Sequence, residues 1–278
     1  MQEGQHCCII ASMKKGYKLV CSDIDGTLVN SENRMCPTTA EVVRRVVDQG
    51  VIFALISARP PVGMFYLLDD MGIDQYVVAF GGSIILKRGQ KPVYEDTLPM
   101  EYVERLREES RKFGLNLSVY SGEDLFVEKI DERVRIEQQI ARAVPIELPF
   151  REIQKRAGNP NKLLYLGEPE AIAAFEQWAA REYDGLLAIY RSKPDYLEVC
   201  PPQSTKYGGM MALADHLGID PSEIMAIGDN YNDVDMLKGA AFGVAMGNAP
   251  EDVKKAADFV TLPCMEDGVG YALQKFIL

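Results

Sequence analysis

The sequence predicts an α/β protein: a doubly wound, Rossmann-like parallel sheet core with an inserted α+β cap domain. Three observations predict it. Short apolar runs alternate with amphipathic segments at both ends of the chain, the pattern of parallel strands joined by helical crossovers. That rhythm breaks near Gly82 and returns after Pro201-Pro202. The chain has 278 residues, 47% of them hydrophobic, enough for one large core or two smaller ones.

The elements follow in order. "YKLVCS" reads as a strand and "PTTAEVVRRVVDQG" as a helix that starts at a proline and stops at a glycine. "VIFALIS" is a strand, "PPVGMFYLLDDMG" a helix and "YVVAF" a third strand. Beyond Gly82, "SIILKRGQKPVYED" reads as a hairpin about Arg88-Gly89, and a charged helix runs from about Pro99 to Lys112. "LNLSVY" and "DLFVEK" are strands, followed by a helix from about Asp131, the strand "KLLYLG", a helix around Trp178, and the strands "LLAIYRS" and "DYLEVC". The alternation then resumes with a helix to His216, the strand "EIMAIGD", the helix "YNDVDMLKG", the strand "AFGVAM", the helix "PEDVKKAA", the strand "DFVTL" and a closing helix. This division assigns residues 1–86 and 197–278 to the Rossmann-like core and 87–196 to the cap, with residues 1–16 a loose N-terminal extension and Met13 a candidate start.

Composition removes several classes of function. A net charge of −11 argues against a nucleic acid or an anionic membrane as the main partner. No apolar run approaches the roughly 20 residues that span a bilayer, and "CCIIAS" is too short for a secretory signal. The six cysteines, Cys7, Cys8, Cys21, Cys36, Cys200 and Cys264, form no CxxC pair and read as reduced thiols of a cytoplasmic protein. The two histidines, His6 and His216, leave no material for a Ser-His-Asp triad or a zinc site, and His216 reads as a helix-surface residue.

The chemistry must therefore come from carboxylates, lysine, hydroxyls and a hard cation. "KLVCSDIDGTLVN" ends an apolar strand on Asp23 and Asp25, whose i, i+2 spacing aims both at one face where the chain leaves the sheet. Like charges a few Å apart cost about 4 kcal/mol at an effective dielectric of 20 and call for a compensating cation. In "IMAIGDNYNDVDML" a second strand ends on Asp229, with Asn232 and Asp233 beside it at the start of the next helix. The helix dipole accounts for Asp235 but not for Asp229. Oxygen donors alone indicate Mg2+. "LISAR" ends a third strand on the hydroxyl of Ser57, and "PPQSTKYGG" puts Lys206 in the first turn of a helix. Together they describe a nucleophilic carboxylate, a hydroxyl and an ammonium to hold phosphate, and a metal-binding carboxylate.

From about residue 17 to the end the chain resembles the haloacid dehalogenase-like superfamily of phosphohydrolases, in particular its Cof-type, type IIB subclass. "DIDGTL", "ISAR", "STKYGG" and "GDNYNDVDML" are similar to its four motifs, and "GVAMGNAPEDVKKAADFVT" and "EDGV" to its tail. Two departures are Ala58, where the family usually has Gly, and Gly81-Gly82-Ser83, where it usually has Asn-Gly-Ala. The resemblance implies an Mg2+-dependent phosphatase acting on a small phosphorylated molecule, such as a sugar phosphate. It makes Asp23 the nucleophile and Asp25 the acid/base, with a pKa raised by a closed site. Asp23, the Asp25 backbone carbonyl and Asp229 become metal ligands with Asp233 behind them, and Ser57, Lys206 and Asn232 bind the phosphoryl group. A phosphomutase of the same superfamily and a non-catalytic phospho-acceptor or metabolite sensor are the alternatives. Candidate cap contacts to the leaving group are Arg151, Arg156, Lys162, Arg191 and Lys193. Oligomeric state is not encoded in these patterns.

Overall fold

The computed structural model of the protein describes residues 16–278. His6, Cys7, Cys8, Met13 and the proposed N-terminal extension to residue 15 lie outside the described residues. The first strands are β1 (Leu19–Ser22), β2 (Ile52–Ile56), β3 (Val77–Ala79), β4 (Ile84–Leu86) and β5 (Tyr94–Glu95). β6 (Asn116–Ser121), β7 (Asp124–Val127), β8 (Pro145–Glu147), β9 (Lys162–Leu166), β10 (Ala188–Lys193) and β11 (Tyr196–Cys200) come next, and β12 (Ile224–Gly228), β13 (Phe242–Ala245) and β14 (Phe259–Val260) close the set. The helices are α1 (Pro37–Asp48), α2 (Val62–Met71), α3 (Met100–Ser110), α4 (Glu132–Ala141), α5 (Phe150–Ala157), α6 (Pro169–Glu182), α7 (Lys206–Leu217), α8 (Val234–Gly239), α9 (Glu251–Lys254) and α10 (Gly268–Phe276).

The larger sheet has the order β14-β13-β12-β1-β2-β3-β4-β5. It is parallel from β14 to β3 and antiparallel through β4 and β5. Its strands are apolar on both sides because both faces are covered. Val20, Phe53 and Leu55 pack under α1, α2 and α10, while Leu19, Cys21, Ala54 and Ile56 pack under α7 and α8. Phe53 is fully buried, a contribution of about 1.5–3 kcal/mol from its side chain. The chain winds outward from β1 through β2 and β3, then returns to β12 on the other side. The crevice at the carboxyl ends of β1 and β12 is thus the switch point where sites form in such sheets.

The smaller sheet has the order β10-β11-β9-β6-β7-β8. Its outer face carries α3, α5 and α6 over a core of Leu106, Val119, Tyr165, Phe175 and Leu197. Its inner face turns Tyr120, Leu164, Leu166 and Tyr196 toward the larger sheet and joins the same apolar cluster as Met64 and Phe80.

Sheet membership moves the expected boundaries. β5 falls inside the segment expected to be cap, yet it pairs with β4, with Val93 N donating to Ile85 O at 2.8 Å and Asp96 N to Ser83 O at 2.7 Å. Residues 197–200, expected in the core, continue β11 in the smaller sheet, where Val199 pairs with Leu163. β8 and α5 had no counterpart in the sequence reading, and "YND" forms a 3-10 turn before α8. His216 is exposed on α7, edge-on to Tyr76. Among the described residues, Cys21, Cys36, Cys200 and Cys264 are free thiols, and no helix is long and apolar enough to cross a membrane.

Candidate active site

β1 and β12 deliver the acidic groups. Asp23 directly follows β1 and is locked to the neighbouring strand by its N–H, which donates to Ile227 O at 2.9 Å. Asp229 directly follows β12, and Asp233 lies at the end of the 3-10 turn that comes next. One carboxylate oxygen from each of Asp23, Asp229 and Asp233 lies within 4.8 Å of the others. Gly26 has φ +85°, and any Cβ there would collide with the Asp229 carboxylate, so only glycine lets the turn pass this close. Thr27 Oγ1 donates to Asp229 Oδ1 at 2.7 Å, and Asn248 Nδ2 ties the Gly26 carbonyl at 2.9 Å.

Asp233 stands beside Asp229 and Lys206. It is fully buried, its Oδ2 accepts the N–H groups of Asp229 at 3.0 Å and Asn230 at 2.9 Å, and its Oδ1 accepts from Lys206 Nζ at 2.6 Å. Lys206 also donates to Asp23 Oδ1 at 2.6 Å. The first turn of α7, capped by Thr205 Oγ1 on Gly208 N, holds that ammonium between the two carboxylates. Burial works against the Lys206 charge, but Asp23 and Asp233 outweigh it and hold its pKa above the ordinary lysine value. Burial pushes the Asp23 carboxyl up to about 7, opposed by Lys206 and reinforced by Asp233. Asp229 is raised by burial too. Three carboxylates against one ammonium leave this pocket two negative charges in excess, an arrangement that favours a bound divalent cation.

Asp25 stands apart. Its side chain is 60% exposed. It is gripped by Arg59, whose Nε reaches Oδ2 at 2.9 Å and whose Nη2 reaches Oδ1 at 2.5 Å. Arg59 is itself fixed by Tyr66 Oη at 3.1 Å, Gly63 O at 3.3 Å and Asn33 Oδ1 at 2.5 Å. Sequence reasoning used "ISAR" for its hydroxyl and missed this arginine. The signal was present, since β1 and β2 are adjacent and Asp25 lacked a cation. Ser57 is buried at the end of β2, where its Oγ accepts from Arg59 N at 3.2 Å. Asn232 is exposed and lines a cavity with Lys206 and Gly81. At the departure from the usual junction, Gly81 N donates to Ser57 O at 2.9 Å, and Gly82, at φ +127°, leaves no room for a Cβ against Thr205. This turn between β3 and β4 is therefore packed between the segments that carry Ser57 and Lys206.

Of the candidate cap contacts, Lys162 is buried on the inner face, where its Nζ donates to Glu198 Oε2 at 2.8 Å and to Ala58 O at 3.2 Å. Lys193 lines the same cavity as Asp25. Arg191 instead pairs with Glu176 of α6 at 2.9 Å, and Arg151 and Arg156 are exposed on α5, all on the far side of the smaller sheet.

The chain is similar to known proteins. Residues 20–273 match the family model described as haloacid dehalogenase-like hydrolase. A Haemophilus influenzae protein, provisionally named a phosphatase, is 33% identical over 260 residues, covering 93% of this chain and 98% of its own. A haloacid dehalogenase-like hydrolase from Bacteroides thetaiotaomicron superposes with a TM-score of 0.86 at 32% identity, covering 93% of this chain and 99% of its own. A structure described as a subclass IIB sugar phosphatase superposes with a TM-score of 0.76 at 29% identity, covering 93% and 98%. With a match that runs from β1 into α10, the chain belongs to the haloacid dehalogenase-like hydrolase family and is one of its phosphatases.

Proposed function

We propose that the protein is an Mg2+-dependent phosphohydrolase that cleaves phosphate monoesters of small metabolites, sugar phosphates or similar compounds, through an aspartyl-phosphate on Asp23. The observation that carries this reading is the buried cluster of Asp23, Asp229 and Asp233 closed by a single ammonium, Lys206. The likeness to a sugar phosphatase supports the substrate class. The donor set is all oxygen and two charges short of neutral, which fits Mg2+ held by Asp23, Asp229 and the Asp25 carbonyl with Asp233 behind them. When bound, the ion supplies charge neutralisation and orientation of the phosphate.

The chain's own groups do the rest. The Asp23 carboxylate attacks phosphorus, and the bond from phosphorus to the alcohol oxygen breaks as the mixed anhydride forms. Asp25 gives its proton to the departing alkoxide. It then takes a proton from the water that attacks the aspartyl-phosphate, which releases phosphate and restores Asp23. Lys206, Ser57 and Asn232 hold phosphoryl oxygens, and Lys206 also fixes the attacking carboxylate.

The test is a pair of substitutions on the whole protein. Asp23→Asn should give neither turnover nor phospho-enzyme, while Asp25→Asn should lose turnover yet slowly accumulate phospho-enzyme from p-nitrophenyl phosphate. Near wild-type turnover by Asp23→Asn would remove the covalent mechanism. For the metal, Mg2+ should raise the melting temperature of the wild type and not of Asp229→Asn. An equal rise in both would remove Asp229 from the site.

A further inference from the structure

We propose that the buried Lys162–Glu198 pair on the inner face of the smaller sheet is a specificity-determining site that binds two adjacent hydroxyls of the leaving alcohol. This rests on the phosphatase reading above and assigns the part of the substrate that the phosphate-binding groups do not touch.

The first observation is where the pair sits. A cavity of about 450 Å3 has Asp25 and Ser57 on one wall and Lys162 and Glu198 on the other, within the roughly 300–1,000 Å3 of small-molecule sites. Glu198 also lines the adjoining cavity, of about 490 Å3, that holds Lys206 and Asn232. Lys162 bonds to the carbonyl of Ala58, the neighbour of Ser57. An alcohol whose phosphate is held at Ser57 and Lys206, with its bridging oxygen near Asp25, therefore extends toward this pair.

The second observation is that the pair stands at the edge of a cavity. Around it the inner face carries Tyr120, Leu164, Tyr196 and the buried Glu137, with the Lys162 ammonium 5.4 Å from the Tyr120 ring centroid and 5.8 Å from that of Phe80. Desolvating two charges is costly, and apolar residues of similar volume commonly serve stability as well or better. A charge pair kept here, where both members line a cavity, has a use at that cavity.

The third observation is its hydrogen-bonding capacity. The ammonium has three donors, and two are spent on Glu198 Oε2 and Ala58 O, leaving one without a protein acceptor among the described residues. The carboxylate only accepts, and Tyr190 Oη steadies it at 3.1 Å from the paired position on β10. A donor beside an acceptor is the complement of neighbouring hydroxyls, each of which accepts and donates. Burial alone would discharge both groups, but their mutual attraction outweighs it, raising the Lys162 pKa and lowering that of Glu198, so both stay ionised at neutral pH. An alkyl chain in the same place would strip water from the pair and return nothing.

The experiment compares kcat/KM for sorbitol 6-phosphate and n-hexyl phosphate, equal in carbon count, in the wild type and in Lys162→Met/Glu198→Leu. The double change removes both members of the pair together; Glu198→Gln, close to isosteric, is measured beside it. The wild type should prefer the polyol ester, and the double variant should lose at least about 10-fold of that preference. General structural damage lowers both substrates together and leaves the ratio in place. An unchanged ratio in Glu198→Gln and the double variant, or a wild type that prefers the alkyl ester, overturns the proposal and leaves the phosphatase reading intact. A wild type that hydrolyses neither these esters nor p-nitrophenyl phosphate overturns both.

Discussion

Arg59 shows how one side chain sets the working geometry of another. Its planar fork meets both oxygens of Asp25, and Tyr66, Asn33 and the Gly63 carbonyl hold the guanidinium in place. A carboxylate exposed to water would otherwise sample several rotamers, and the acid–base role proposed for Asp25, typically worth about 10²–10⁴-fold, needs it within hydrogen-bond reach of the bridging oxygen. Arg59→Ala should lower kcat on the order of 10- to 100-fold with little change in KM. Arg59→Lys should not restore it, because a point charge cannot form the fork. Wild-type kcat in Arg59→Ala would mean that Asp25 does not work from this position. The neighbouring positions also show what a sequence displays at this scale. Asp23, Asp229 and Lys206 were legible because each stands at the end or start of an element, where a charge is conspicuous. Asp233 was placed behind the metal ligands by the resemblance alone, and nothing in "NYND" reveals that two backbone N–H groups and Lys206 converge on it. Glu198, a carboxylate inside the apolar "YLEVC", was a visible anomaly that went unread.

Among the elements, those of the larger sheet were the most legible, because short β-branched and aliphatic runs framed by glycine and proline leave few alternatives. The cap was harder for a physical reason. β9, "KLLYL", is buried on both faces, so its apolar run carries no alternation to show which side Lys162 takes. β8, with three residues, and α5, with eight and few apolar positions, fall below the length at which periodicity is readable. α4 is the element on which burial and charge conflict most clearly. Glu137 on its inner side is buried and accepts a hydrogen bond from Tyr120 Oη at 2.8 Å. Burial raises its pKa above the ordinary glutamate value of 4.5, and the Tyr120 bond and the charges of Lys162 and Lys193 only partly oppose this. The folded chain therefore holds this proton more tightly than the unfolded chain. The associated stability is complete below the unfolded value and is lost as pH rises through the folded one. Glu137→Gln keeps an acceptor for Tyr120 and removes the charge. Its melting temperature should exceed that of the wild type at pH 8, with the gain shrinking toward pH 4.5. A gain independent of pH, or a loss at pH 8, would show that the ionised carboxylate is not the cause.

For the molecule as a whole, the question is how the smaller sheet is held over the crevice. The two sheets share an apolar cluster in which Phe80 stacks at a tilt on Tyr120, their rings 5.6 Å apart. The contact between α2 and the end of α4 is closer still, since a Cβ built on Gly63 would collide with the carbonyl oxygen of Ala141. Gly63 does not have the positive φ that glycine alone tolerates, so a side chain there is limited by space and not by backbone strain. Its own carbonyl accepts from Arg59 and survives substitution. Gly63→Val therefore acts as a wedge between α2 and α4. The chain can relieve it by tilting the smaller sheet outward about its two crossings, which follow β5 and β11. Tilting draws Lys162 away from Ala58 and admits water to the space above Asp23 and Lys206, which weakens their electrostatic effect. The expected result is a folded protein with a larger radius of gyration by X-ray scattering. Its kcat/KM for bulky phosphate esters should fall at least about 10-fold, and hydrolysis of p-nitrophenyl phosphate, whose leaving group needs little protonation, should fall less. Equal losses on both substrates with no change in radius would place the damage in the site itself. An unchanged enzyme would mean that the contact of α2 with α4 has no part in closing the crevice.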